Sequence, residues 1–148
     1  MSIQQLIEDF EFIEDWEEKY RYIIELGRNL EPFPESERNE QNKVHGCVSQ
    51  VWLLTAIETN EEGEPVLTFT GDSDAHIVRG LVSILLEVYS GKTAREILEI
   101  DGLAVLGQIG LQDHLTPQRS NGLASMVKRI QDEARKALES SSPSISGR

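Results

Sequence analysis

The residue best suited to covalent chemistry is Cys47, the one cysteine in 148 residues. It stands in the run His45-Gly46-Cys47-Val48-Ser49-Gln50, between a polar stretch and a segment rich in branched and aromatic side chains. Gly46 before it permits backbone angles closed to other residues and leaves the thiol room to be approached. A lone thiol cannot close an internal disulfide, so it is either a small packed hydrophobe or a reactive group. As a thiolate it would be a nucleophile in its own right. His45, two positions away, raises the alternative of a thiol hydrolase dyad, but near neighbours often fail to align as base and nucleophile. A non-catalytic acidic interaction module with a structural cysteine is the other competing reading.

The remaining constellations carry less chemistry. His45, His76 and His114 lack the paired spacing of a zinc site, and one thiol is too few for a closed cluster or structural zinc set. No metal and no cofactor is therefore expected, and no lysine is marked as a cofactor attachment point. Gly71 to Ala75, GDSDA, offers Asp72 and Asp74 as hard oxygen ligands but reads better as a turn with a helix N-cap at Ser73. The run SGKT after Tyr89 lacks the earlier glycine of a phosphate-binding loop, since Leu86 stands there. Gly91 ending one helix and Thr93 starting the next accounts for it. Arg119 falls in the first turn of the last helix, where a cation opposes the helix dipole by about 0.3–1 kcal/mol. A carboxylate such as Asp74, or an acidic group of a partner, would compensate.

These residues must be held by a recognisable set of elements. Ile3, Leu6, Ile7 and Phe10 recur at helical spacing, and Ile13, Tyr20, Ile23, Ile24 and Gly27 continue after a break near Glu11. Asp15 with Glu18 reads as a capping box for the second helix and Gly27 as its end. Arg28 to Lys43, with Pro32 and Pro34, reads as a loop. Val51–Thr59 and Val66–Thr70 suggest an antiparallel hairpin across NEEGEP. Ile77, Val78, Leu81, Val82, Leu85, Val88 and Tyr89 form the stripe of a central helix closed by Gly91. Thr93 with Glu96 predicts a capped short helix to about Glu99, and Asp101 caps another through Leu106. Thr116 and Pro117 open a longer last helix that buries Leu123, Met126, Val127, Ile130 and Leu138. The expectation is a single domain over residues 1–139 and a disordered tail over 140–148, where the sequence is SSSPSISGR.

Composition bounds the partners. Hydrophobic residues at 39% and charged residues at 27% suit a folded domain with one core. The formal net charge of -12 gives no attraction to phosphate backbones, so nucleic acid is excluded as a partner. Acids gather at Glu8, Asp9, Glu11, Glu14, Asp15, Glu17 and Glu18, and bases at Lys128, Arg129, Arg135 and Lys136; solvated helix faces account for both groups. Apolar runs such as Gly80 to Leu86 are far short of the roughly 20 residues a bilayer requires, so no membrane association is expected. The acidic start MSIQQLIEDFEF resembles neither a signal nor a transit peptide, which with the unpaired thiol predicts the cytoplasm.

Taken together, KVHGCVSQVWL, FTGDSDAHIVRGL, SGKT and HLTPQRSNGL, in this order and spacing, resemble the SufE family of cysteine desulfuration proteins. The resemblance runs from WEEKYRYIIELG at Trp16 through the last helix. It implies an α+β fold similar to IscU and SufE, with a small antiparallel sheet of two to three strands packed against several helices. It also implies that Cys47 accepts persulfide sulfur from a SufS-type cysteine desulfurase, stimulates that enzyme, and passes sulfur toward a SufBCD-type cluster scaffold. On this reading the chain is a carrier and activator, not an enzyme, and the pyridoxal phosphate belongs to the desulfurase. Gly46, Asp74 and Arg119 are expected to position the Cys47 loop or to dock the partner, and a homodimer remains an open alternative. A chain with one cysteine suits carriage better than cluster assembly.

Overall fold

The computed structural model describes residues 3–47, 49–111 and 115–141. Helices α1 (Ile3–Phe12) and α2 (Trp16–Arg28) open the chain, and a short 3-10 helix (Glu35–Glu37) interrupts the proline-containing loop that follows. Strands β1 (Val51–Thr59) and β2 (Pro65–Ser73) lead to α3 (His76–Tyr89), strand β3 (Lys92–Thr93), α4 (Ala94–Glu99), α5 (Gly102–Ile109) and α6 (Pro117–Ser141). The architecture is α+β, with a three-stranded antiparallel sheet in the order β1-β2-β3.

Local signals fix most helix ends. Asp15 caps α2, but its side chain accepts from the N–H of Glu17 at 3.2 Å, one position earlier than a box with Glu18 would place it. The Thr93–Glu96 capping box is complete, with the two residues bonding each other's backbone N–H groups. Asp101 caps α5 through the Ala104 N–H, and Gly110 ends it in the left-handed conformation. Thr116 accepts the N–H of Arg119 at 3.2 Å with Pro117 as the first helical residue of α6.

Several boundaries are corrected. Gly27 does not end α2, which runs on to Arg28; a side chain there would strike the backbone of Arg79 and Gly80, so Gly27 and Gly80 are what let α2 and α3 lie close together. The second strand does not stop at Thr70, because β1 keeps pairing with it through Leu53↔Gly71, Trp52↔Asp72 and Val51↔Ser73. Ser73 is consequently a strand residue, and the N-cap of α3 is Ala75, whose N–H bonds Ser73 Oγ at 3.3 Å. Lys92 and Thr93 are more than a link between helices: they pair with Leu67 and Val66 as β3. At the C-terminus α6 extends through residues 140 and 141, the first two positions of the expected tail; the rest of that tail, 142–148, lies outside the described residues.

The core lies between the sheet and the helices. Phe10, Ile23, Leu67, Leu81, Leu85, Ile97, Leu106 and Leu123 are almost fully buried, each worth roughly 1.5–3 kcal/mol of hydrophobic stabilisation. Tyr89 is buried with them, and its hydroxyl donates to the Ile100 carbonyl at 2.9 Å and accepts the Gly102 N–H at 2.8 Å. That pair of bonds ties the end of α3 to the junction of α4 and α5. Burial of Tyr89 pushes its phenol up from the ordinary value.

Candidate functional site

The chain enters the site along β1. Lys43 bridges to Trp52, the Val44 N–H donates to the Val51 carbonyl at 2.8 Å, and the Leu53 N–H donates to the Asn42 carbonyl at 2.8 Å. Residues 42–44 are thereby fastened beside the first half of β1, and Val44 is buried. Gly46 then takes φ +99°, a conformation in which a side chain is strained, and it sits so close to α6 that a Cβ would collide with Ser125 Oγ. Val48 lies outside the described residues.

Downstream the chain is fastened again. Asp74 is exposed at the end of β2, yet its carboxylate accepts the Gln50 N–H at 3.1 Å and the Gln50 side-chain amide at 3.3 Å. The Asp74 N–H donates in return to the Gln50 carbonyl at 3.3 Å. Cys47 thus lies on a short arch between two fastened ends. These three bonds tie Asp74 to Gln50 on the downstream side of Cys47. Among the described residues no ion pair joins Asp74 to Arg119.

The thiol itself is partly buried against α6. Cys47 Sγ donates to the Gly122 carbonyl at 3.6 Å, and a cavity of about 230 Å³ opens beside it. Val51, Val78, Leu81, Leu123 and Met126 form its apolar wall, while Thr116, Gln118 and Arg119 from the start of α6 give it one polar side. Burial pushes the Cys47 thiol up from its ordinary value, because the thiolate loses hydration that this apolar wall does not replace. Arg119 is the cation facing the same space. His45 is exposed and points its Nε2 toward Glu40 Oε2 at 3.4 Å, outside the cavity lining. His76 is exposed at the start of α3 and His114 lies outside the described residues. Among the described residues no three His, Cys, Asp or Glu side chains come together as metal ligands, and no helix is long and apolar enough to cross a membrane.

One element of the surroundings was hidden from sequence reasoning. Asp72, buried in β2, forms ion pairs with Arg38, whose Nη2 is 2.6 Å away, and with Arg79, whose Nε is 2.9 Å away. The Arg38 guanidinium also lies over the rings of Trp52, at 5.1 Å, and Phe33, at 5.7 Å. This cluster fastens the proline-containing loop to the sheet just upstream of the cysteine arch. Arg79 lies seven residues after Asp72 but Arg38 lies 34 before it, so the local pattern does not announce the cluster.

The fold and site define a class: an α+β protein that presents one partly buried thiol on an arch between a sheet and its last helix. The chain belongs to the SufE family, whose model, described as an Fe-S metabolism associated domain, matches residues 4–134. It is 56% identical over 133 residues to an uncharacterized SufE-like protein of Rhizobium meliloti (strain 1021), covering 90% of this chain and 94% of that one. An uncharacterized SufE-like protein of Rhizobium etli is 54% identical over 134 residues, with 90% of each chain covered. The fold is similar to the solution structure of a hypothetical protein from Thermus thermophilus, with a TM-score of 0.72 at 24% identity, covering 94% of this chain and 99% of that one. Membership assigns the chain to iron–sulfur metabolism.

Proposed function

We propose that this protein is a sulfur carrier that takes persulfide sulfur from a SufS-type cysteine desulfurase onto Cys47 and delivers it toward a SufBCD-type scaffold. The observation that carries the reading is the pairing of a partly buried thiol with an adjoining cavity of about 230 Å³, ample for one additional sulfur atom. In the transfer, Cys47 Sγ as thiolate attacks the outer sulfur of the desulfurase persulfide. A new Sγ–S bond forms, the S–S bond to the desulfurase cysteine breaks, and that cysteine leaves as thiolate. The proton Cys47 gave up is balanced by the one the departing thiolate takes. No oxidant, metal or second nucleophile enters.

Arg119, on the polar side of the cavity, supplies a positive charge facing the anion that the transferred sulfur carries. Gly46 serves as one pivot when the arch leaves the cavity to meet the desulfurase, and Asp74 holds its downstream end or docks the partner. Shielding in the resting state protects the carried sulfur from the reducing thiols of the cytoplasm, where this reading places the protein. Removing sulfur from the desulfurase relieves a slow step in that enzyme's turnover, so carriage and stimulation are one act.

The test is an intact-mass measurement after incubation with a cysteine desulfurase and free cysteine. The carrier reading requires the mass of added sulfur on Cys47, removable by a reductant. An unchanged mass, with the desulfurase shown to be loaded, would favour the acidic interaction module in which Cys47 merely packs.

A further inference from the structure

The arch that bears Cys47 follows one face of α6. Gly122 meets Cys47, Ser125 meets Gly46, and one turn further on Arg129 meets the residues that precede the arch. These three positions are spaced three and four apart, so they share a side of the helix while the arch runs past them in the opposite direction. Arg129 is half-buried, and every nitrogen of its guanidinium is engaged. Nη2 donates to the Gln41 carbonyl at 2.7 Å, Nη1 to the Lys43 carbonyl at 3.1 Å, and Nε to Glu133 Oε2 at 3.2 Å. The two carbonyls lie two residues apart where the chain leaves a turn and bridges to β1 at Lys43, and the planar fork of an arginine engages both at once, which the single ammonium of a lysine does not.

We propose that Arg129 is a positioning residue for sulfur transfer: it clamps Gln41 and Lys43 to α6 and so fixes the upstream hinge of the Cys47 arch. With Gln50 held by Asp74 at the other end, the Cys47 arch is given a fixed hinge on each side. The clamp shortens the moving unit, seats Cys47 over Gly122 at rest, and limits where the thiol travels when it leaves. Glu133 orients the guanidinium through the third bond and stays on α6 throughout. The connection to sulfur rests on the carrier reading above; the clamp does not.

The experiment compares the full chain with Arg129→Met and Arg129→Lys. Its first readouts need no desulfurase: the rate at which iodoacetamide labels Cys47, and hydrogen exchange at the amides of Val44 and Leu53, whose bonds lie beside the clamp. Loss of two charge-assisted bonds predicts labelling and local exchange about tenfold faster in Arg129→Met, with Arg129→Lys in between. The β1–β2 amides beyond Leu54 should keep their protection. With a desulfurase, maximal stimulation should fall about threefold in Arg129→Met while the half-saturating carrier concentration stays within about twofold, because presentation changes and docking does not. Labelling and exchange unchanged in both variants would overturn the clamp, as would protection lost evenly across β1 and β2. Arg129→Lys keeps the charge and stem and decides the matter if Arg129→Met does not fold. A response in labelling and exchange with no sulfur ever found on Cys47 would uphold the clamp and overturn the carrier reading instead.

Discussion

Cys47 and Gly122 are 75 residues apart in sequence, and the thiol of one donates to the backbone carbonyl of the other at 3.6 Å. A serine at position 47 can donate to the same carbonyl and occupies slightly less space. Cys47→Ser should therefore fold with a stability within about 1 kcal/mol of the natural protein. It should lose all stimulation of a desulfurase, since a hydroxyl cannot hold a transferable sulfur. Stimulation by the variant equal to that of the natural protein would refute the assignment of Cys47 as carrier.

Gly46 answers to two constraints at once, a φ of +99° and the proximity of Ser125. Gly46→Ala should cost about 1–2 kcal/mol from the backbone alone, measured by urea unfolding. It should also lift the arch from α6 and speed labelling of Cys47. Adding Ser125→Gly removes the collision but not the strained dihedral, so the double variant should recover part of the loss. Full recovery would show that sterics alone require the glycine.

Much of this was legible because helix ends are written locally. Thr93 with Glu96, Asp101, and Thr116 before Pro117 each act within one turn, and the apolar stripe of α3 repeats at the helical period over its own length. The sheet was legible only where each strand carried its own pattern. The two residues of β3 are too few to show a period, and β2 reaches Ser73 only because β1 remains beside it. Cys47 and Gly46 stood out by rarity and by residue type. The partner of Asp74 did not: pairing with Arg119 was one expectation, and the observed partner is Gln50, 24 residues upstream, brought there by the hairpin's register. The roles of Asp72 and Arg129 were hidden for the same reason, since Arg38 lies 34 residues from Asp72, and Gln41 and Lys43 lie 88 and 86 residues from Arg129.

Asp72 and Asp74, two residues apart, should behave oppositely. Removing the buried carboxylate leaves Arg38 and Arg79 without their shared anion, so Asp72→Ala should destabilise the fold by roughly 3 kcal/mol. Asp74 is exposed and Arg119 only partly buried, so charge reversal at either should change stability by no more than about 1–2 kcal/mol. Both reversals should nevertheless alter desulfurase stimulation, because one frees the exit of the arch and the other turns the polar side of the cavity negative. Thermal unfolding alongside a stimulation assay checks both halves, and unchanged stimulation in both reversed variants would sink their proposed roles.

The protonation of Cys47 gives the final expectation. Burial raises its thiol above the ordinary 9.0, so the folded protein holds the proton at pH values where the unfolded chain has begun to release it. Between the two values the native state binds more protons, and stability must fall as pH rises. The contribution of Cys47 is fully present below the unfolded-state value and lost as pH passes through the folded-state value. Two measurements follow. The rate of iodoacetamide labelling should rise with pH along a curve displaced upward from that of the urea-unfolded chain, and at neutral pH the folded protein should label more slowly. Urea unfolding midpoints should decline from neutrality to above pH 9.0, more steeply for the natural protein than for Cys47→Ser, which has no thiol to ionise. A desulfurase whose own nucleophile has been removed should pull the labelling curve back down when added, if docking draws the arch out of its cavity into water. Labelling of the free protein as fast as the unfolded chain would mean the thiol is not shielded, and sulfur carriage would then need protection from a source other than this cavity.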